Sequence, residues 1–229
     1  MRLASLVGVL LRDHYRRGAV LGEALAAALT VGLFLDPRRG PYEPSYFATV
    51  LAFSACVLPV LATTVVAARA GGLRAEPFLL AGGRAPYFVA VAVAGLLSSL
   101  LWLGFMAATA PFLGLWPLPA GWPGRLAGAL LLNAALSAAL FATFSTLAGS
   151  QLDWGLGMAA LIMGLNRSWF TGLAQPWLRR LALLVPPLLE NTRAAAGTGQ
   201  PAYLESGVYL LCVLAIGVWR FRRREFYWS

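Results

Sequence analysis

Two stretches of the chain, Tyr46–Ala68 and Tyr87–Phe112, run without one charged side chain. Each is longer than the roughly 20 apolar residues that carry a helix across a hydrocarbon core. A bilayer interior offers no water to backbone amides and carbonyls, so a crossing segment satisfies them within itself, as a helix. The runs therefore predict an all-α, polytopic membrane protein. Composition points the same way. Charged residues make up 12% of the chain and hydrophobic ones 59%, whereas a soluble domain averages about 25% charged. Half the usual charge cannot cover a water-soluble globule.

Six spans follow, at about 18–35, 46–68, 87–112, 126–148, 154–173 and 203–219, within one transmembrane domain of residues 1–229. Residues 1–17 precede the first. Leu3, Leu6, Val7, Leu10 and Leu11 fall at one-face helical spacing, with Arg2, Arg12 and Arg16 mostly off that face. This predicts an interfacial helix whose arginines sit among headgroups. Glu23 lies inside span one; an intramembrane carboxylate is a functional candidate, and pairing with Arg16 or Arg17 is the structural alternative. Pro59 interrupts the hydrogen bonding of span two. In span four Asn133 and Ser137 are one turn apart on a face, as are Ala134 and Ala138, a pattern of close helix packing. Span five starts at Trp154 and meets Asn166-Arg167 before Trp169. Leu181–Leu189 is too short to cross, so Ala174–Leu189 reads as a re-entrant or interfacial helix within an extracytoplasmic segment, 174–201. Cys56 and Cys212 both fall in apolar runs and read as small core residues rather than a disulfide.

Between the two longest runs lies Arg69–Ala85, RAGGLRAEPFLLAGGRA. Gly71-Gly72 and Gly82-Gly83 bracket a short helix with Glu76 just before Pro77, a residue suited to a first helical turn. Phe78, Leu79 and Leu80 are apolar with no span to cover them, which predicts a partner surface or a dip into the lipid interface.

All 18 basic residues are arginine, and the net charge is +9. In a membrane protein this balance orients loops, and no basic patch interleaves with aromatics as in nucleic-acid binders. Six spans with the N-terminus inside place Arg2, Arg12, Arg16, Arg17, Arg69, Arg74, Arg84, Arg220, Arg222, Arg223 and Arg224 in the cytosol. Arg38, Arg39, Arg125, Arg167, Arg179, Arg180 and Arg193 fall outside. The excess predicts cytoplasmic termini, an even span number and residence in the cytoplasmic membrane.

Catalytic sets are missing from this reading. The single histidine, His14, falls in the amphipathic N-terminal segment, where it is not placed as the buried base of a Ser–His protease. Asp13, Asp36 and Asp153 lie at span ends, and the chain carries no phosphate-loop motif and no haem or metal set. The expectation is no enzyme activity and no cofactor: a protein that positions and moves.

With these residues in place, the chain resembles the membrane (permease) subunit of a type-2 ABC exporter. The resemblance rests on the basic N-terminal helix and on Gly72, Glu76, Leu79-Leu80 and Arg84 before span three. It rests also on the C-terminal third, VPPLLENTRAAAGTGQP followed by a span and RFRRREF. Where the family usually has a proline shortly before the loop arginine, this chain has Gly82-Gly83. The resemblance implies a homodimer, or a heterodimer with a similar permease, in the lipid bilayer with two separate ATP-binding cassette subunits. It makes 69–85 the coupling loop, with Glu76, Phe78, Leu79 and Arg84 as the ATPase-docking surface, and Glu23, Asn133 and Asn166 as possible intramembrane polar points. The cargo path would be lined by apolar and small residues, which suits a lipidic or amphiphilic substrate. Two other classes stay open: a substrate-capture subunit of a vitamin-uptake system, for which Asn166, Arg167 and Gln175 are the candidate outer polar groups, and a non-transporting membrane scaffold.

Overall fold

A computed structural model describes residues 3–35, 42–70, 83–114, 122–145, 151–171, 175 and 180–223. Among them every regular element is helical. In order these are α1 (Leu3–Arg16), α2 (Val20–Phe34), α3 (Pro44–Ala70), α4 (Arg84–Ala107) with a 3₁₀ turn at Ala110–Leu113, α5 (Trp122–Thr143), α6 (Gln151–Leu165), α7 (Ser168–Thr171), a 3₁₀ turn at Arg180–Leu184, α8 (Leu188–Ala195) and α9 (Tyr203–Arg223).

Four of these, α3, α4 with its 3₁₀ extension, α5 and α9, are long and apolar enough to cross a membrane. α1 and α2 together pass the same test but meet at a bend of 74°. α6 is apolar but has only 15 residues, about 22 Å of helix at 1.5 Å per residue. The long helices start and stop within a few residues of the boundaries expected from the apolar runs. The fifth stretch differs: its helix ends at Leu165 rather than continuing to 173. There the Asn166 side-chain amide donates to the Ile162 carbonyl at 2.9 Å, an asparagine habit that competes with the helical ladder.

α3 is the central element, packed most extensively on α5 and α4. On α2 the buried residues are Glu23 and Ala27, while Leu21, Leu25, Leu29 and Leu33 form an outward row 52–69% exposed. Small residues inward and leucines outward is how helices associate when lipid is as apolar as the interior. The seam between α3 and α4 shows the same economy of space. A Cβ on Gly95 would stand 2.1 Å from Thr63 Oγ1 and 2.8 Å from its Cα, so the two backbones touch where only glycine fits.

The helices define two ends. At one, α1 places Leu6 and Val7 against Val66, Ala67 and Ala70 at the close of α3, Tyr87 to Val91 at the start of α4, and Phe221 at the close of α9. At the other, Leu35, Phe47, Met106, Leu113, Trp122 and Ala195 pack together. α8 folds back against α5 and α3 and buries Leu188, Asn191, Ala194 and Ala195.

Leu6 and Val7 of α1 pack on α3 and α4, while Leu3 is 41% exposed and Arg12, Arg16 and Arg17 stay exposed. One expectation is corrected here: Cys56 is buried as expected, but Cys212 is exposed on α9.

Candidate functional site

A buried polar cluster closes the elbow between α1 and α2. The sequence Arg17-Gly18 ends α1, and Gly18 adopts φ +68°, a left-handed backbone that glycine takes without strain. That turn folds the chain sharply enough to bring residue 14 over residue 23. His14 Nε2 meets Glu23 Oε1 at 2.6 Å, and Ser98 Oγ of α4 donates to Glu23 Oε2 at 2.6 Å. All three are within 2% of full burial. Each carboxylate oxygen thus has a partner, which is the condition for holding such a group in an apolar bundle.

This geometry revises two sequence readings. Glu23 is bonded to His14 and Ser98, not to Arg16 or Arg17; Arg17 instead pairs with Asp13 at 2.6 Å. His14 is buried, although its place in the amphipathic N-terminal segment predicted no buried histidine. The order of groups is still wrong for a protease. In a Ser–His pair the imidazole takes the hydroxyl proton, whereas here the Glu23 carboxylate stands between Ser98 and His14. No nucleophile is activated by this arrangement.

Next to the cluster is a cavity of about 120 Å³, lined by Val9, Leu10, Asp13, His14, Val66, Arg69, Ala70 and Tyr87. His14 Nδ1 and Arg69 Nη1 are buried without a hydrogen-bond partner. The Tyr87 hydroxyl donates to the Ala70 carbonyl at 3.1 Å, tying the start of α4 to the end of α3.

Of the four residues expected to dock an ATPase, Glu76, Phe78 and Leu79 lie outside the described residues. Arg84 opens α4, and its guanidinium donates to the Arg222 carbonyl at 2.7 Å. The arginine thereby ties the start of α4 to the end of α9. Also at this end, Arg220 pairs with Asp153 of α6 at 2.8 Å and lies over the Phe144 ring at 5.5 Å.

At the opposite end Arg167 is the organising residue. Its Nε donates to the Ala182 carbonyl at 2.9 Å, its Nη2 to Glu205 of α9, and Nη1 lies 3.4 Å from Glu190 of α8. Burial works against its charge. The Glu205 hydrogen bond and the charges of Glu190 and Glu205 outweigh that, and the guanidinium is held above its ordinary pKa. Nearby, the Asn191 amide donates to Ser206 Oγ at 3.1 Å and its carbonyl accepts from the Ala202 amide at 3.0 Å. Asn133 of α5 donates to Thr192 Oγ1 at 3.2 Å and faces the Ala52 carbonyl at 3.5 Å. Asn133 therefore joins α5 to α8, and Asn166 caps α6. Gln175 is exposed, and Arg167 is engaged by its two carboxylates.

Among the described residues no group of three or more His, Cys, Asp or Glu side chains is placed to hold a metal ion. The residues that sequence reasoning passed over are His14 and Ser98; the signal for His14 was Gly18, which permits the sharp turn.

The structure defines an all-helical protein with several helices suited to crossing a membrane. The chain matches no family model, no curated protein and no solved structure.

Proposed function

We propose that the chain is the membrane subunit of an ATP-driven type-2 ABC exporter. In this reading α2 and α6 complete six crossings, both termini and the 69–85 loop face the cytosol, and two copies work with two ATP-binding cassette subunits. The cargo is unidentified, and an apolar, small-residue lining suits a lipidic or amphiphilic molecule. The observation that carries the reading is the order of elements. A basic helix bent 74° from the next precedes the crossings, and a short helix, α8, folds back onto α3 and α5 before the last apolar helix. That order is what the resemblance of the N-terminal helix and of the VPPLLENTR segment leads one to expect.

The test is affinity purification from native membranes, followed by ATP hydrolysis measured on the recovered complex. Burial of apolar area contributes roughly 25 cal/mol per Å², and exposed ion pairs about 0–1 kcal/mol each. Docking through the loop thus depends more on Phe78 and Leu79 than on Glu76 or Arg84. Phe78→Ala with Leu79→Ala abolishes recovery of the ATPase while the protein still inserts, and Glu76→Gln weakens it only slightly. Wild-type recovery by the double variant, or no ATPase with the wild type, sinks the reading.

A further inference from the structure

α1 has an outer face as well as an inner one. Leu6, Val7 and His14 are buried. Val9, Arg12 and Arg16 follow one another along the opposite side at i, i+3 and i+7 and are exposed, as are Leu3 and Tyr15. Arginines beside apolar side chains on an open helix face are the composition of a helix lying in a membrane interface. α1 meets α2 at 74°, and a helix at that angle to a crossing segment runs close to the plane of the headgroups.

A second element reaches the same end. Phe221, at the close of α9, packs in one cluster with Leu6 and Val7 of α1, and the next two residues, Arg222 and Arg223, are exposed. The Arg223 guanidinium lies 4.4 Å from the centre of the Trp219 ring, and Trp219 is itself exposed. A tryptophan with a cation on its face belongs at the level where lipid meets water. Segments far apart in sequence thus bring Arg12, Arg16, Arg222 and Arg223 to one end.

Their charge is not answered within the protein. Asp13 is taken by Arg17 and Asp153 by Arg220, while Glu23 is buried with His14 and Ser98. Among the described residues no carboxylate pairs with any of these four arginines. Arginines clustered beside crossing helices attract acidic lipids. An acidic protein would meet the charges but not the apolar Leu3, Val9 and Trp219 on the same helices; a phospholipid meets both.

We propose that this end of the molecule binds the headgroups of anionic phospholipids in preference to zwitterionic ones, through Arg12 and Arg16 of α1 and Arg222 and Arg223 of α9. The interaction needs a lipid but no ATPase or cargo, so it stands or falls separately from the exporter reading.

The experiment titrates the full chain, in an uncharged detergent, with dioctanoyl phosphatidylglycerol, with phosphatidylcholine of the same chains, and with inorganic phosphate. Native mass spectrometry reads bound lipid, and thermal unfolding reads its effect. Phosphatidylglycerol is expected to be retained and to raise the melting temperature, the other two to do neither, and added salt to weaken the binding. Arg12→Gln with Arg16→Gln, and separately Arg222→Gln with Arg223→Gln, should each weaken phosphatidylglycerol binding by about fivefold for every arginine removed. All four side chains are exposed, so without lipid these variants should melt as the wild type does. Arg180→Gln with Arg193→Gln, exposed residues toward the other end, should leave the affinity unchanged. Equal retention of the two phospholipids, an equal response to inorganic phosphate, or equal weakening by the Arg180–Arg193 pair would overturn the proposal. The wild-type comparison of the two lipids decides the matter even if a variant does not fold.

Discussion

Glu23 is tolerated in an apolar helix because both its oxygens are bonded, one by an imidazole and one by a hydroxyl. Replacing it removes two partners at once. Glu23→Leu leaves His14 and Ser98 buried with polar atoms unpaired, at a cost of about 1–3 kcal/mol for each unsatisfied group. Adding His14→Leu removes one of those orphans. The double variant should therefore melt above the Glu23→Leu single variant in detergent, although it carries one more substitution. A lower melting temperature for the double variant would mean that His14 and Glu23 stabilise the fold separately. The sequence marks Glu23 as special, since a carboxylate between apolar residues stands out. It does not disclose the partner. Arg16 and Arg17 are closer along the chain and carry full charge, but they remain on the exposed side of α1. His14 reaches Glu23 only because the turn at Gly18 reverses the expected geometry, and backbone turns of that kind leave little trace beyond one glycine.

At the scale of helices, close approach is set by single glycines. α9 leans on α4 and α5 at Gly217, where an added Cβ would stand 2.3 Å from Phe88 Cζ and 2.5 Å from Thr143 Oγ1. The same helix carries Gly207, where an added Cβ meets nothing within 4 Å. Gly217→Ala is expected to lower stability by about 1–3 kcal/mol, the usual range for overpacking. Gly207→Ala should be neutral or stabilising by up to about 1 kcal/mol, because alanine is the better helix former. Thermal unfolding of both in the same detergent separates the effects; equal losses would show that α9 does not pack as described. The apolar runs disclosed the long helices to within a few residues, because length and the absence of charge are properties of the local sequence. They did not disclose where the fifth helix stops, which is decided by Asn166 and by carbonyl and carboxylate partners of Arg167 located far along the chain. Nor did the pattern on α1 distinguish lipid from protein as the cover for its apolar face. Both covers are hydrophobic, and one-face spacing looks the same for either.

Across the whole molecule the described arginines are uneven. Arg12, Arg16, Arg17, Arg69, Arg84, Arg220, Arg222 and Arg223 gather at the end where α1 packs, and Arg125, Arg167, Arg180 and Arg193 lie toward the opposite end, in or beside α5, α7 and α8. The positive-inside rule then predicts that the α1 end is cytosolic. With Cys56 and Cys212 replaced, Ala75→Cys should resist a membrane-impermeant thiol reagent added to intact cells. Thr198→Cys, on an exposed turn after α8, should react. Labelling at residue 75 would reverse the orientation and remove the ground for cytosolic docking.

The Arg167 contacts also set an order in time. Its two carboxylates, Glu190 and Glu205, both lie downstream in the chain. As the polypeptide leaves the ribosome, the guanidinium is made first and its counter-charges afterwards. Neither ion pair can exist until the segment carrying its carboxylate has been synthesised, and both exist only once α9 has begun. The C-terminal third therefore cannot reach its final arrangement piece by piece as it emerges; its closure waits for the last helix.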